Sequence, residues 1–550
     1  MTMAICRYGT TVATMAVIVA HASLASALTV NVNTTANDTN PGHCSLNEAM
    51  NLFYGQTPIG TCTWVADGSN SYTIQLIAGT FTNFYIYISG YTLNGAGQTK
   101  TTILTNNNYQ EGLYFDSLYT SGAASNLTVK GQNQSSSTPV AGVHNEITAT
   151  LTNVTISGYT GAGVYNLGTL TINSSTIENN SSVAQSDAGG LGGGICNYGV
   201  VTLNNSTVTQ NSASQGAGVY TANTYGYGGV VTSNSSTFSS NNASQAGGGI
   251  TNSGATLTLT KSTVSQNTAG SGGGGGIDNQ SVSGGTASLD IENSTISGNS
   301  TPGVGGGLLD TSLSIPTVNN STFNGNKAAS GGGIYEAGEY LEMTYSTIAN
   351  NAAQNGAGGG VYIGPNSNGS MVSWGGWHIT VAFNTATSSS NKCGAGAGVY
   401  AATNTSVDWN GSLIAGNTTN NNADDYVGVI HTLSEFSDGA NPDIIVAPHS
   451  GKNCYPGGWD SYQAYDPMNN TYTTLKDFSS TVGALFGSNG LGANGGPTST
   501  ILLASSSPAV NACQTPSGMN NLSGSNNTAD QRGDKAPLGG QYDLGSVELK

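Results

Sequence analysis

Short runs in which every second residue is apolar recur through most of the chain. Examples are "LTINSSTI" (170–177), "VTLNNSTV" (201–208), "LTLTKSTV" (257–264) and "LDIENSTI" (289–296). A period of two predicts strands rather than helices. The runs end on one template: "STIENN" (175–180), "STVTQN", "STFSSN", "STVSQN", "STISGN", "STFNGN", "STIANN" and "SLIAGN", each with an apolar residue three places before an asparagine. These asparagines are Asn180, Asn211, Asn241, Asn267, Asn299, Asn326, Asn351 and Asn417, with Asn384 in "ITVAFN" as a looser copy. Most copies also carry a glycine cluster and an apolar residue, as in "GGGICN", "GGGITN", "GGGIYE" and "GAGVYA".

The repeat returns at intervals of about 25–33 residues, the range in which self-similarity signals a solenoid. Three short strands per repeat, interrupted by Gly and Asn, fit one turn of an all-β, single-stranded right-handed parallel β-helix with coils about 4.8 Å apart. In the copy at 320–338, Phe323 and Ile334 are expected inside, Asn326 at a turn and Gly331–Gly333 at a tight bend. The turn asparagines are expected to satisfy backbone groups and their equivalents in adjacent coils. Asparagine also tolerates left-handed backbone angles.

Composition agrees with a polar repeat fold: 80 glycines, 37% apolar residues and only 7% charged residues among 550. A formal charge of −17 with eleven Lys plus Arg argues against nucleic acid and anionic lipid as partners, since phosphate binding needs a basic surface. Arg7, the apolar run "TVATMAVIVA" and "ASA" at Ala25–Ala27 predict a signal peptide over 1–27, so export to the cell surface or beyond is expected. No later segment is expected to cross a membrane as a helix, and a monomer is expected. Export permits disulfides, and Cys44 with Cys62 is the local pair expected. Cys196, Cys393, Cys454 and Cys513 cannot be paired from sequence. Ser45 and Glu48 have capping-box spacing ahead of "AMNLF", predicting a short helix over the open edge of the first coil.

Three stretches resemble exported bacterial proteins. "CSLNEAM" (44–50) resembles the CSLREA box, with Asn47 where that box has arginine. The glycine and "FxxN" elements are similar to polymorphic membrane protein repeats. "LGANGGPTSTILLASSSPAVNAC", "DQRG" and "YDLGSVE" resemble the choice-of-anchor Q domain. The resemblance implies a surface-associated, right-handed parallel β-helix and supplies no catalytic set. It divides the chain into a signal peptide (1–27), an N-terminal cap and first coils (28–120), β-helix repeats (121–428) and a choice-of-anchor Q-like region (429–550). Asp530, Arg532, Asp543 and Glu548 are the charged members of the tail motifs, and an ion pair closing the last coil is expected of them.

Candidate chemistry is sparse. The coils hold no arginine, which removes the calcium-dependent pectate lyase pattern, and neither GHG nor RxK occurs for polygalacturonase-like chemistry. Asp424 and Asp425 read as a loop pair, solvated or calcium-binding rather than catalytic. In the repeat alignment Asn166, Asn197, Thr221, Asn252, Asn279, Asp310 and Glu336 are equivalent, so Asp310 and Glu336 should meet on neighbouring coils. Such a pair suits acid/base catalysis or cation binding; the plainer reading is a solvated turn with one carboxyl protonated. Asp290, Glu292, Glu342 and Asp408 fall on outward positions. His43, His144, His378, His431 and His449 show no metal-ligand spacing, and no metal site is expected, although calcium stays open. His378 lies near Trp374 and Trp377, as a sugar-stacking spot or as internal packing. Tyr165, Tyr220, Tyr335, Tyr362 and Tyr400 follow the glycine cluster and point outward, either as flat faces for sugar or protein or as cover for loop backbone, stacked on one another. The resulting expectation is a non-catalytic exported β-helix protein in adhesion or glycan binding. The alternative is a polysaccharide lyase or glycoside hydrolase using Asp310 and Glu336.

Overall fold

The structure is a computed structural model. It describes residues 28–550 apart from 37–39, 41, 57–59, 67–71, 107–110, 118–120, 133–139, 183–189, 224–227, 367–368, 388–394, 403, 420–421, 424–425, 428–429, 432–443, 447–462, 467–470, 475–484, 508, 511–528, 535–542, 544 and 550. The signal-peptide segment 1–27, Asp424, Asp425, Cys393, Cys454, Cys513 and His449 lie outside the described residues, as do the side chains of Asp408 and His431. Two compact units, 1–242 and 243–550, divide the chain.

In the first unit one helix, Leu46–Phe53, follows the opening strand Leu28–Asn31. Ser45 caps it: the Glu48 amide donates to Ser45 Oγ (3.4 Å) and the Ser45 amide donates to Glu48 Oε2 (3.2 Å). Phe53 packs on Tyr72 and Tyr91, with ring centroids 5.4 and 5.0 Å away. A disulfide between Cys44 and Cys62 ties the loop around this helix. Coils follow in parallel register, with Ile156, Ile177, Val208 and Phe238 forming one buried inner column.

The second unit repeats the scheme. Strands Ile277–Gln280, Leu308–Thr311, Ile334–Glu336, Val361–Ile363 and Val399–Ala401 pair in parallel, stacking Ile277, Leu308, Ile334, Val361 and Val399. On another face Ile296, Phe323, Ile348, Val381 and Ile414 are successive partners. All of these side chains are fully buried, so dehydration of aliphatic columns drives the stacking.

Each alternating run is cut in two by a left-handed residue. Ser174 (φ 47°) separates Thr169–Asn173 from Thr176–Glu178, and Asn320 (φ 50°) separates Thr317–Asn319 from Thr322–Asn324. A second left-handed position stands directly before each template asparagine, held by Asn179, Gln210 and Ser240 in one unit and by Gln266, Gly298, Gly325, Asn350, Phe383 and Gly416 in the other. The template asparagines themselves are not left-handed, contrary to expectation; their side chains are committed to the ladders described below. In the glycine cluster Gly331 takes φ +61°, and a Cβ on Gly332 would stand 2.4 Å from the Gly359 carbonyl oxygen. Bend and coil spacing both require glycine there.

Candidate functional site

Asparagine ladders run through the interior of both units. Asn180 donates its backbone N–H and Nδ2 to Asn211 Oδ1 (3.0 and 3.1 Å), and Asn211 does the same to Asn241. In the second unit the same pairing links Asn267, Asn299, Asn326, Asn351, Asn384 and Asn417 at 2.9–3.0 Å. Most Nδ2 groups also donate to a carbonyl of the preceding coil, as Asn326 does to Ile296 at 2.9 Å. The template serine forms a parallel ladder: the Ser294 amide donates to Ser321 Oγ and the Ser321 amide to Ser346 Oγ, both at 3.1 Å. These columns are structural.

A different column contains Asp310 and Glu336. Asn252 Nδ2 donates to Asn279 Oδ1 (2.8 Å) and Asn279 Nδ2 donates to Asp310 Oδ1 (2.6 Å). Asp310 and Glu336 are register partners on adjacent strands. Both side chains are 0% exposed, which overturns the expected solvated turn and puts the carboxyls out of contact with a polymer in solvent. The strand is covered on both faces, so replacing the ladder amide did not bring a carboxyl to the surface. Burial raises both pKa values, Glu336 further because of the charge on Asp310.

The tyrosines separate into two environments. In the first unit Tyr165 is only 8% exposed and packs edge-to-face against His144 and Tyr198, at 5.1 and 6.0 Å. Tyr220 contacts Tyr198 at 6.5 Å. In the second unit Tyr335, Tyr362 and Tyr400 are partly exposed and stack face-to-face at 4.6 and 5.0 Å, nearly parallel. Of the two expectations for this row the structure shows the stacking one: the faces within the row cover one another, leaving ring edges along the coils. Burial raises the Tyr362 hydroxyl to about 12, with Tyr335 and Tyr400 adding to it, so the phenol stays protonated and able to donate in ordinary media.

His378 stacks on Tyr345 (4.9 Å, 4°), and its Nδ1 lies 3.3 Å from the Asp543 carbonyl oxygen. Burial lowers its pKa to about 4. Trp374 is fully buried and Trp377 is 6% exposed, so this group is internal packing and offers no stacking surface. Asp290 and Glu342 are half-buried and Glu292 is exposed, on outward positions.

Charged residues of the tail lie elsewhere than expected. Arg532 Nε and NH2 donate to Asp530 Oδ2 at 3.0 and 2.8 Å, and Arg532 reaches Asp534 at 3.2 Å. The Glu548 amide donates to Asp530 Oδ2 (3.0 Å) and the Asp543 amide to Glu548 Oε1 (3.1 Å). The neighbouring Gln531 and Ser546 bind Thr347, Gln531 also takes Thr322, and Ser546 takes Thr380. With Gly545 donating to the Gly411 carbonyl, this segment lies along the outside of four coils rather than closing the last one. Apolar tail residues Leu485, Phe486, Ile501 and Leu503 cover Ala349, Ala382 and Ala415.

One group escaped the sequence reading. His144 Nδ1 is 2.8 Å from Glu111 Oε1, its Nε2 is 3.6 Å from Glu146 Oε1, and Tyr114 lies edge-on at 4.8 Å while its hydroxyl bonds Glu146. Burial and then Glu146 push the Tyr114 pKa well up. The signal was present: "GLYF", "GVHN" and "GVYN" align His144 between Tyr114 and Tyr165. Among the described residues, no group of three or more His, Cys, Asp or Glu is arranged to hold a metal ion, and no helix is long and apolar enough to cross a membrane.

Coils stacked in this way define a right-handed parallel β-helix protein. No family model matches the chain, and comparison with curated proteins finds no match. Among solved structures it is similar to the A-module of the Azotobacter vinelandii mannuronan C-5 epimerase AlgE4, with 15% identity over 64% of this chain and 88% of that one, at a TM-score of 0.36. It is also similar to bacteriophage CBA120 tailspike protein 3 (10% identity, 74% and 63% covered, TM-score 0.30). For pectate lyase Pel9A the values are 14% identity, 95% and 96% covered, and a TM-score of 0.28. Such values carry no argument about activity.

Proposed function

We propose that the chain is an exported β-helix scaffold, secreted or held at a bacterial cell surface, that binds a glycan or another surface component without processing it. The Tyr335–Tyr362–Tyr400 row carries this reading: partly exposed rings stand one per coil, stacked at 4.6 and 5.0 Å. Ring edges spaced by one coil suit a linear polymer lying along the strands' stacking direction, and phenols add hydrogen bonds. The signal-like N-terminus and the motifs resembling the CSLREA box, polymorphic membrane protein repeats and choice-of-anchor Q domain support export and surface association. On a glycan array, Tyr335→Ala with Tyr362→Ala is expected to weaken binding at least tenfold relative to the unaltered chain. Unchanged binding removes the row from the account.

Polysaccharide cleavage is the second reading, and the observation favouring it is the Glu111–His144–Glu146 group, whose two carboxylates are part-exposed while Asp310 and Glu336 are sealed. Incubation with uronic-acid and neutral polysaccharides is expected to release no reducing ends or unsaturated products. Release that disappears in Glu146→Gln would establish the second reading over the first.

A further inference from the structure

The column that ends in Asp310 and Glu336 has a direction. Asn252 Nδ2 donates to Asn279 Oδ1 and Asn279 Nδ2 donates to Asp310 Oδ1, each amide handing one N–H to the next coil. At Asp310 the atom that should donate onward is an oxygen. Asp310 Oδ1 also accepts the Ser312 amide (3.2 Å), and Glu336 Oε1 accepts the Gly338 amide (2.9 Å). Asp310 Oδ2 and Glu336 Oε2 receive no donor from the described residues, and both are buried. Two ionised carboxylates facing each other across one strand spacing, with no donor to Asp310 Oδ2 or Glu336 Oε2 among the described residues, would set like charges together in a buried site. A single added hydrogen completes the column.

We propose that Asp310 and Glu336 share one proton at neutral pH, as a carboxylic acid donating to a carboxylate, and that this proton locks the two coils together and is released in alkaline medium. The groups around the pair agree. Asp278 on the preceding strand is buried and is pushed up to about 7 by burial and then by the charge on Asp310. Tyr335 and Tyr362, on the strand of Glu336 and the next, keep their protons because burial raises them as well. No Lys, Arg or His figures among the groups acting on either carboxyl. Gly338 seals the site, because a Cβ there would stand 2.8 Å from Asp310 Oδ2. Since the folded chain holds a proton that the unfolded chain loses near the ordinary carboxyl pKa, the pair's contribution to stability is greatest in acid and declines as pH rises towards its raised pKa.

Infrared spectra of the full chain at neutral pH test this. Beside any band from Asp278, the carbonyl band of a second protonated carboxylic acid is expected, shifted by isotope-labelled glutamate or aspartate and lost in both Glu336→Gln and Asp310→Asn. Each amide supplies the missing hydrogen permanently. In urea unfolding, the equilibrium constant of the unaltered chain relative to Glu336→Gln is expected to rise about tenfold per pH unit between about pH 5 and 7. Absence of the band in the unaltered chain overturns the proposal even if neither variant folds. So does a band lost on adding calcium chloride with a gain in stability, which marks a bridging cation instead.

Discussion

Asn326→Leu is expected to destabilise the second unit by roughly 2–6 kcal/mol, since two interior groups, the Asn299 N–H and the Ile296 carbonyl, lose its side chain at roughly 1–3 kcal/mol each, while Asn299 Nδ2 keeps the Val264 carbonyl. Asn326 Oδ1 accepts the Asn299 N–H and Nδ2, both at 3.0 Å, and its own Nδ2 donates to the Ile296 carbonyl at 2.9 Å. Leucine fills a similar volume and replaces none of this, so the loss reports hydrogen bonding rather than a cavity. Asn324, two residues earlier and part-exposed, provides the comparison: Asn324→Ala is expected to cost under about 1 kcal/mol, because its amide partner Asn350 is at the surface and can turn to water. Urea unfolding of the two variants side by side checks the difference. Equal small losses would mean that Asn326 is solvated and the ladder does not hold the coils.

Asp530→Ala should release the tail from the coils, with a loss of about 3–5 kcal/mol in its attachment, the cost of stripping one partner from a buried pair. Asp530 is 1% exposed and gathers the Arg532 amide, the Arg532 guanidinium and the amides of Asp534 and Glu548. Without it the Arg532 guanidinium keeps Asp534, at 3.2 Å, and the Glu548 carbonyl oxygen. The expected readout is rapid proteolysis confined to the C-terminal segment, with the β circular dichroism of the remainder kept. Asp530→Asn with Arg532→Met leaves an acceptor oxygen for the amides and removes the buried charge, and should be much milder. If the single variant resists protease like the unaltered chain, the tail is held by the contacts of Gln531, Ser546 and Leu503 alone.

Much of the fold was legible in sequence because alternation, glycine and the "STxxxN" template each impose one backbone geometry. Ser45 and Glu48 announced the helix cap by spacing alone. The serine ladder stood in the same template but passed unnoticed, since its role appears only once Ser174 or Asn320 turns left-handed and brings the hydroxyl under the next amide. The tail's docking face was also written in the repeat: Ser265, Ser297 and Asn324 give way to Ala349, Ala382 and Ala415, small residues where another segment packs. The candidate site was less readable. Period two assigns faces but not coverage, so it could not say that the strand holding Asp310 is buried on both sides. Nor does it fix side-chain torsions, which decide whether Tyr335, Tyr362 and Tyr400 stand apart as platforms or close upon one another.

The stacking of successive repeats by one strand spacing is tested most directly by cysteine pairs. Ser297 and Asn324 are outward register partners, and Ser265 is the partner of Ser297 one coil earlier. Partners on adjacent parallel strands lie about 4.8 Å apart, within disulfide reach, whereas residues two coils apart lie about 10 Å apart and outside it. Under mild oxidation, peptide mapping should find a disulfide in Ser297→Cys/Asn324→Cys and none in Ser265→Cys/Asn324→Cys. A bond in the second pair with none in the first would contradict the β-helix register and everything placed upon it.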